Sequence, residues 1–360
     1  LREAAAEARA VLLEIAAERL QLPLEQLDAK NGVIFDKARH DNQVTYAELT
    51  KGKKIERHLE KKPAPKAVSE FTKIGRPTSR LDAQQKVTGK ALYAGDIRLP
   101  GMLYAKILRP PAHGATLKSV DTSEAEKMKD VLIVRDGDLI AVLHEHPDIA
   151  AKALAKIKAE FEIPEAQVDD QTIYEHLLSA APAESVIAQG GDLKTGEEMS
   201  SQIFDEKYLN AYVAHATVET HTALANIEAD KVTVWASTQT PFGAKDEVAQ
   251  ALGFPSQNVR VIPPYVGAGF GGKTRNRQAV EAARLAKLTG KPVQVAWSRS
   301  EEFFYDSFRP AAVVKIKSGI DGSGHIVLWD YHVYFAGERC SQQFYDIPHH
   351  RTAVSGEWMG

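Results

Sequence analysis

The sequence predicts an α+β fold, and three observations predict it. From about Phe71 onward, short runs of β-branched and apolar residues are punctuated by glycine and proline, as strands between turns are. Two longer stretches, 242–252 and 277–288, carry helical periodicity and end in the usual stop signals. Gly253 and Pro255 close the first, and Gly290 and Pro292 close the second. Strands and helices are mixed rather than regularly alternating, which argues against a repeated βαβ fold.

Residues 1–20 are rich in Ala, Leu and Glu, without glycine or proline. Leu12, Ile15, Ala16 and Leu20 fall on one face, so an amphipathic helix is expected. Asn31-Gly32 signals a turn, followed by an extended piece at Val33-Ile34-Phe35. A further helix is expected from Tyr46 to Leu59, and residues 61–70, with two prolines and solvating lysines, read as a linker. Strands are expected at 103–108, 131–134 and 139–143, and a helix from Ile149 to Glu160 running into an extended piece at 159–163. Residues 165–200 are polar and read as loop. Beyond them, Lys231–Ala236, Val259–Ile262 and Val293–Trp297 read as strands, and 312–316 with 325–334 as a hairpin around Asp321-Gly322-Ser323-Gly324.

The 360 residues suit two or three domains, with 44% hydrophobic and 26% charged residues. A net charge of -3 gives no global field for nucleic acid. One cysteine, Cys340, excludes a disulfide framework or a Cys-rich metal cluster within the chain, and it is expected to be a small buried residue. No apolar run reaches the roughly 18 residues of a membrane span. The chain opens without methionine and stops at Glu357-Trp358-Met359-Gly360, so both ends look cut and a targeting sequence could lie outside it.

The most informative segment is Val266-Gly267-Ala268-Gly269-Phe270-Gly271-Gly272-Lys273-Thr274. Its glycines free the backbone to take positive φ, and its place between a strand and a helix suits amides that bind a polar group. Residues 267–274 also satisfy the phosphate-loop pattern GxxxxGK[ST], in which Lys273 would reach phosphates and Thr274 a magnesium ion. Against a nucleotide, little chain follows Thr274 for a repeated βαβ fold, and the acidic strand at Asp330 sits in an expected antiparallel hairpin.

The surroundings carry a resemblance. Trp235-Ala236-Ser237-Thr238-Gln239-Thr240-Pro241, a helix ending Leu252-Gly253, Val259-Arg260-Val261 and then the glycine loop follow in order. This order resembles the molybdopterin-binding subunit of the xanthine dehydrogenase/aldehyde oxidase family, where a W-x-S-T-Q-x-P run precedes a G-G-G-F-G-G-K loop. Arg80-Leu81-Asp82, Lys86-Val87-Thr88-Gly89 and Leu99-Pro100-Gly101-Met102-Leu103 resemble the opening of its α/β hammerhead domain. Phe308-Arg309-Pro310-Ala311-Ala312 and Tyr345-Asp346-Ile347-Pro348 are similar to the branch that contains the isoquinoline 1-oxidoreductase beta subunit. The resemblance covers nearly the whole chain. It implies a helical piece of the molybdopterin-binding domain at 1–60, a linker at 61–70, a hammerhead-like domain at 71–165, connecting loops at 166–202 and a truncated molybdopterin-binding domain at 203–360.

The family hydroxylates an electron-poor carbon of an N-heterocycle or aldehyde with water-derived oxygen. Molybdenum held by molybdopterin, in some members its cytosine dinucleotide form, does the chemistry. Electrons leave through a [2Fe-2S] small subunit to a further acceptor. Carried over, Gly269, Phe270, Gly271 and Gly272 belong to the loop beside the cofactor, with Gln239 at a motif position. Arg309 falls where some relatives place a substrate-facing arginine. No side-chain metal ligand, nucleic-acid surface or membrane span is expected, and a soluble bacterial protein of cytoplasm or periplasm is implied.

Several positions depart from the family. Ala268 stands where glycine is usual, His215-Ala216-Thr217-Val218-Glu219-Thr220 keeps only His and Glu of an H-x-P-M-E-P run, and Val213 replaces a glutamine. The late G-x-G-E segment with the catalytic glutamate and the upstream G-Q-G loop are absent. No catalytic residue is therefore assigned, and the chain alone is expected to be inactive. A phosphate-loop NTPase and a non-catalytic module of the same fold remain the alternatives. His144 and His146 lack a third metal ligand, and His215, Glu219 and His221 are expected to be hydrogen-bonded core groups rather than acid–base pairs.

Overall fold

A computed structural model describes residues 1–57 and 59–358, and they fall into two compact units, Leu1–Thr88 and Gly89–Gly360. Among the described residues no helix is long and apolar enough to cross a membrane. The final Met359-Gly360 of the expected cut end lies outside the described residues, as does His58 in the expected 46–59 helix.

In the first unit, helix α1 (Arg2–Leu20) packs on a three-stranded antiparallel sheet of β1 (Leu27–Lys30), β2 (Val33–Asp36) and β3 (Gln43–Thr45). Asn31 and Gly32 join β1 to β2 with φ of 52° and 79°, the double positive φ that an Asn-Gly hairpin turn takes without strain. Ala16, Leu27, Ile34, Val44 and Leu49 form the buried core. Helix α2 (Tyr46–Thr50) starts from a capping box in which Thr45 Oγ1 accepts from the Glu48 amide and Glu48 accepts from the Thr45 amide. It stops at Thr50, short of the expected Leu59, because Gly52 takes φ 69° and the lysines around it favour solvent. Helix α3 (Ala83–Val87) ends this unit.

The second unit is built on two larger sheets. In chain order it contains β4 (Leu103–Ile107), β5 (Thr116–Asp121), α4 (Ser123–Glu126), β6 (Leu132–Asp136), β7 (Leu139–His144), α5 (Pro147–Leu154) and β8 (Lys158–Glu162). Next come α6 (Ile173–Ser179), β9 (Ser185–Gly190), α7 (Leu193–Met199), β10 (Gln202–Asn210), β11 (Val213–Ala214), β12 (Thr222–Glu228) and β13 (Lys231–Ala236). Then follow α8 (Pro241–Leu252), β14 (Val259–Ile262), α9 (Arg277–Thr289), β15 (Val293–Ala296), α10 (Arg299–Tyr305), β16 (Phe308–Arg309), β17 (Ala312–Ile320), β18 (Ile326–Tyr334) and β19 (His349–Ser355).

A seven-stranded sheet runs β14-β13-β12-β15-β4-β7-β6, so strands from the 71–165 stretch and strands beyond residue 203 share one sheet. Its β13/β14 and β15/β4 pairs are parallel and the rest antiparallel. Helix α9 lies across this sheet. Ala279, Ala282, Ala283 and Ala286 repeat at helical spacing, are all buried, and let its backbone approach the strands closely. Gly253 and Gly290 close α8 and α9 with φ of 68° and 64°, as their positions predict. The second sheet runs β10-β17-β18-β19-β9, and β17–β18 is the expected antiparallel hairpin.

Two stretches differ from the sequence reading. The helix expected over 149–160 is α5, ending at Leu154, and 158–162 pairs with β5 as strand β8. The region expected to be loop, 165–200, holds α6, α7 and β9, and β9 joins the second sheet through β19. In both, a partner far along the chain selects a conformation that local pattern leaves open.

Candidate functional site

The glycine loop connects β14 to α9 across an edge of the seven-stranded sheet. Two side chains from other segments hold it by hydrogen bonds, and a third packs beneath it. Glu219, ahead of β12, accepts with one carboxylate oxygen from the Gly267 amide at 2.7 Å and from Lys273 Nζ at 2.9 Å. Gln239, just after β13, accepts from the Gly271 amide at 3.1 Å, while its own amide donates to the Lys273 carbonyl at 2.8 Å. Asp306, at the end of α10, bonds His215 Nδ1 at 2.9 Å beneath Gly272.

This packing explains the glycines. A Cβ on Gly269 would come within 2.4 Å of Gln239 Oε1, and one on Gly272 within 2.5 Å of Asp306 Oδ2. Gly271 has φ 105°, which L residues avoid. Ala268 and Phe270 also take positive φ, 74° and 54°, at a cost of roughly 1 kcal/mol each. The alanine that departs from the family thus stands where glycine would relieve strain.

The outer crest of the loop is left open. Among the described residues, the amides of Ala268, Gly269 and Phe270 donate to no protein oxygen. Phe270 is 74% exposed, and Glu219 Oε1 is buried without a partner among the described residues. Unpaired amides held rigidly from behind can receive a polar cofactor edge without a side chain intervening. The expected loop residues Gly269, Phe270, Gly271 and Gly272 are therefore brought together with Gln239, although the Gly271 amide is already engaged by Gln239 rather than open to a ligand.

The phosphate-loop pattern has a different occupant. Lys273 is fully buried, and both its amine and the first glycine amide bond the Glu219 carboxylate. The lysine that a nucleotide would need is already neutralised inside the protein. Thr274 Oγ1 donates back to the Gly271 carbonyl at 2.7 Å.

Arg309 is on β16, opposite Val213 of β11. Its guanidinium donates to the Ala211 carbonyl at 3.2 Å and lines a shallow cavity of about 250 Å³ with Asn210, Pro310 and Trp358. His144 is buried and its Nδ1 accepts from the His146 amide at 2.9 Å, and no group of metal-ligating side chains occurs among the described residues. Cys340, expected to be buried, is exposed, because it lies in an irregular connection with φ 64°.

Behind the loop, Glu302 of α10 is almost wholly buried and accepts from the His221 amide at 2.9 Å, His221 Nδ1 at 3.0 Å and Thr217 Oγ1 at 3.1 Å. Burial alone would raise its pKa, but the bonds from His221 and Thr217 outweigh this and hold it below the usual carboxylate value. A carboxyl with a depressed folded pKa stabilises the protein above its unfolded pKa, and that stability disappears as pH falls through the folded value. Urea titrations should therefore show stability falling below about pH 4.5, and Glu302→Gln should flatten that acid limb. An unchanged acid limb in the variant would refute the assignment.

The asparagine at the start of α9 completes the support. Thr238 Oγ1 donates to Asn276 Oδ1 at 2.6 Å, and Asn276 Nδ2 donates to Glu247 of α8 at 2.8 Å. Thr238 and Gln239 thus tie the chain ahead of α8 to the start of α9 and to the loop. Sequence reasoning missed Asp306, the burial of Lys273 and the role of Asn276, since each acts through a partner tens of residues away.

Residues 178–344 match the family model described as the molybdopterin cofactor-binding domain. A nicotinate dehydrogenase component from Pseudomonas putida is 28% identical over 341 residues, covering 92% of this chain and 29% of that protein. The beta subunit of isoquinoline 1-oxidoreductase from Brevundimonas diminuta is 24% identical over all of this chain and 52% of its own length. The crystal structure of quinoline 2-oxidoreductase from Pseudomonas putida 86 shares the fold with a TM-score of 0.64 at 19% identity, over 78% of this chain and 44% of that one. This chain thus spans between under a third and about a half of the lengths of these relatives. With the loop, its Ser-Thr-Gln support and the fold all in agreement, residues 178–344 form a molybdopterin cofactor-binding domain, and the chain is similar to part of the molybdenum-binding subunits of xanthine dehydrogenase- and isoquinoline 1-oxidoreductase-type enzymes.

Proposed function

We propose that this chain holds one side of a molybdenum–molybdopterin cofactor in an oxidoreductase that hydroxylates an N-heterocycle or an aldehyde. The open amides of Ala268, Gly269 and Phe270, on a loop pinned by Glu219 and Gln239 and packed on Asp306, carry the reading. The cofactor, when bound, supplies the transfer of water-derived oxygen to substrate and accepts the electrons. The protein's contribution is positional. Amides 268–270 donate to the cofactor's polar edge, and the exposed Phe270 ring borders the space in front of it. Gln239 holds the Gly271 peptide so that the crest keeps its shape.

No residue of this chain is assigned as the proton acceptor, because the G-x-G-E segment that carries that glutamate in the family is not in it. Catalysis therefore draws on chain beyond these 360 residues and on a [2Fe-2S] partner that takes the electrons to a further acceptor. Arg309, beside its shallow cavity, is the candidate for orienting a substrate carbonyl or ring nitrogen.

Molybdenum and pterin contents of the protein, purified from cells with its flanking sequence and partner, test this reading. Gln239→Ala should lower both about tenfold, while the circular dichroism spectrum and melting temperature stay close to wild type. A molybdenum-free wild-type complex would favour a non-catalytic module. Saturable magnesium–ATP binding by calorimetry would overturn the reading in favour of a nucleotide.

A further inference from the structure

Strand β10 is an open edge. Among the described residues it pairs only with β17, at one end of the five-stranded sheet, in an unbroken register from Gln202 to Asn210. All nine of its residues are exposed, including Ile203, Phe204, Tyr208 and Leu209. Proteins guard long edges with proline, bulges, charged side chains or a covering element. β10 has no proline and no bulge, and its central charges are of both signs: Asp205, Glu206 and Lys207.

Those charges are arranged symmetrically. When β10 is laid antiparallel against another β10 about a dyad through Glu206, Asp205 of each copy faces Lys207 of the other. Phe204 then faces Tyr208, and Ile203 faces Leu209, with an amide side chain opposite an amide side chain at either end. Off the dyad, the charged and the aromatic pairs are of kinds that stabilise antiparallel strands, and the Ile203–Leu209 pair places apolar surface against apolar surface. A register shifted by two residues loses this match and opposes like charges or apolar against charged groups.

We propose that β10 is a self-association edge, through which two copies of this chain join their five-stranded sheets into one continuous sheet across a two-fold axis. The occupant is a second copy because the pattern of charge and side-chain type in β10 complements itself. The Glu206 pair on the axis is the one unfavourable contact, and it keeps the association weak.

Sedimentation of the 360-residue chain over a concentration series tests the proposal. Wild type should pass from monomer to dimer. Asp205→Lys and Lys207→Asp should each weaken the dimer about tenfold or more, by opposing like charges twice across the axis. The double variant D205K/K207D restores opposite charges and should recover most of the affinity, and Glu206→Gln should tighten the dimer. In a Cys340→Ser background, Glu206→Cys should form an intermolecular disulfide, because only the proposed register places that position against itself. This last measurement reads the register even if a charge variant loses stability. A wild-type chain that stays monomeric at every concentration overturns the proposal. So does a dimer indifferent to the charge variants, a double variant that fails to recover, or the absence of the 206 crosslink.

Discussion

Replacing Glu219 by alanine should lower the unfolding free energy of this chain by about 3–5 kcal/mol, read as a shift in urea midpoint at unchanged slope. The magnitude follows from what the substitution leaves behind. Lys273 has no exposed surface, and its ammonium bonds the Glu219 carboxylate at 2.9 Å. Without the carboxylate, a buried charge and the Gly267 amide lose their acceptor together. The loss exceeds the net worth of the ion pair, since desolvation of the lysine is no longer offset. Two further variants separate these contributions. Lys273→Met alone strands the carboxylate instead, and the double variant Glu219→Leu, Lys273→Met removes both charges and should recover much of the loss. If Glu219→Ala costs less than about 1 kcal/mol, Lys273 reaches solvent in the protein and the loop is not pinned as described.

The second large effect is expected at Arg109, which joins the segment after β4 to α9 and α10. Its guanidinium makes two parallel bonds to Glu281, at 2.5 and 2.9 Å, and a third to Glu301 at 2.8 Å. Glu281 also accepts from Trp297 Nε1 at 3.1 Å and Arg277 Nε at 3.0 Å, and the rings of Trp297 and Tyr305 flank the cation. Burial works against the Arg109 charge, yet the bonds to Glu281 and Glu301 hold its pKa above the ordinary arginine value. Arg109→Ala should therefore cost about 3–5 kcal/mol, and Arg109→Lys a large share of that, because an ammonium cannot make the bidentate fork. A thermal melt showing Arg109→Lys equal to wild type would remove the case for that geometry. Because Arg109 and its partners lie behind α9 rather than on the glycine loop, the lost stability should leave the Gln239 effect on molybdenum content additive to it.

The two effects sit at opposite ends of what could be read from the chain alone. Strands Lys231–Ala236 and Val259–Ile262, helices α8 and α9 with their glycine stops, and the β17–β18 hairpin were legible because each is signalled by neighbours within a few residues. The glycine loop was legible for the same reason: four glycines in six positions declare an unusual backbone wherever they occur. Motif order then pointed to the molybdopterin cofactor-binding domain that residues 178–344 match.

Local pattern failed where the deciding partner is remote. Residues 158–162 have helical company on one side and become a strand only because β5 lies alongside. Ser185–Gly190 is polar enough for a loop and becomes a strand through β19, more than a hundred residues on. Lys273 fits a phosphate-binding motif by spacing, and only the fold reveals that Glu219, brought in ahead of β12, already occupies its amine.

Residue order alone thus specifies the secondary elements with strong periodicity, the position of the glycine loop and the cofactor-binding domain it resembles. Folding in three dimensions settles which amides of that loop remain open, which of its charges are neutralised and which strand is left without a partner. The division has one physical cause. Backbone propensity and turn chemistry act between neighbours, whereas burial, ion pairing and strand pairing depend on residues that only folding brings within reach.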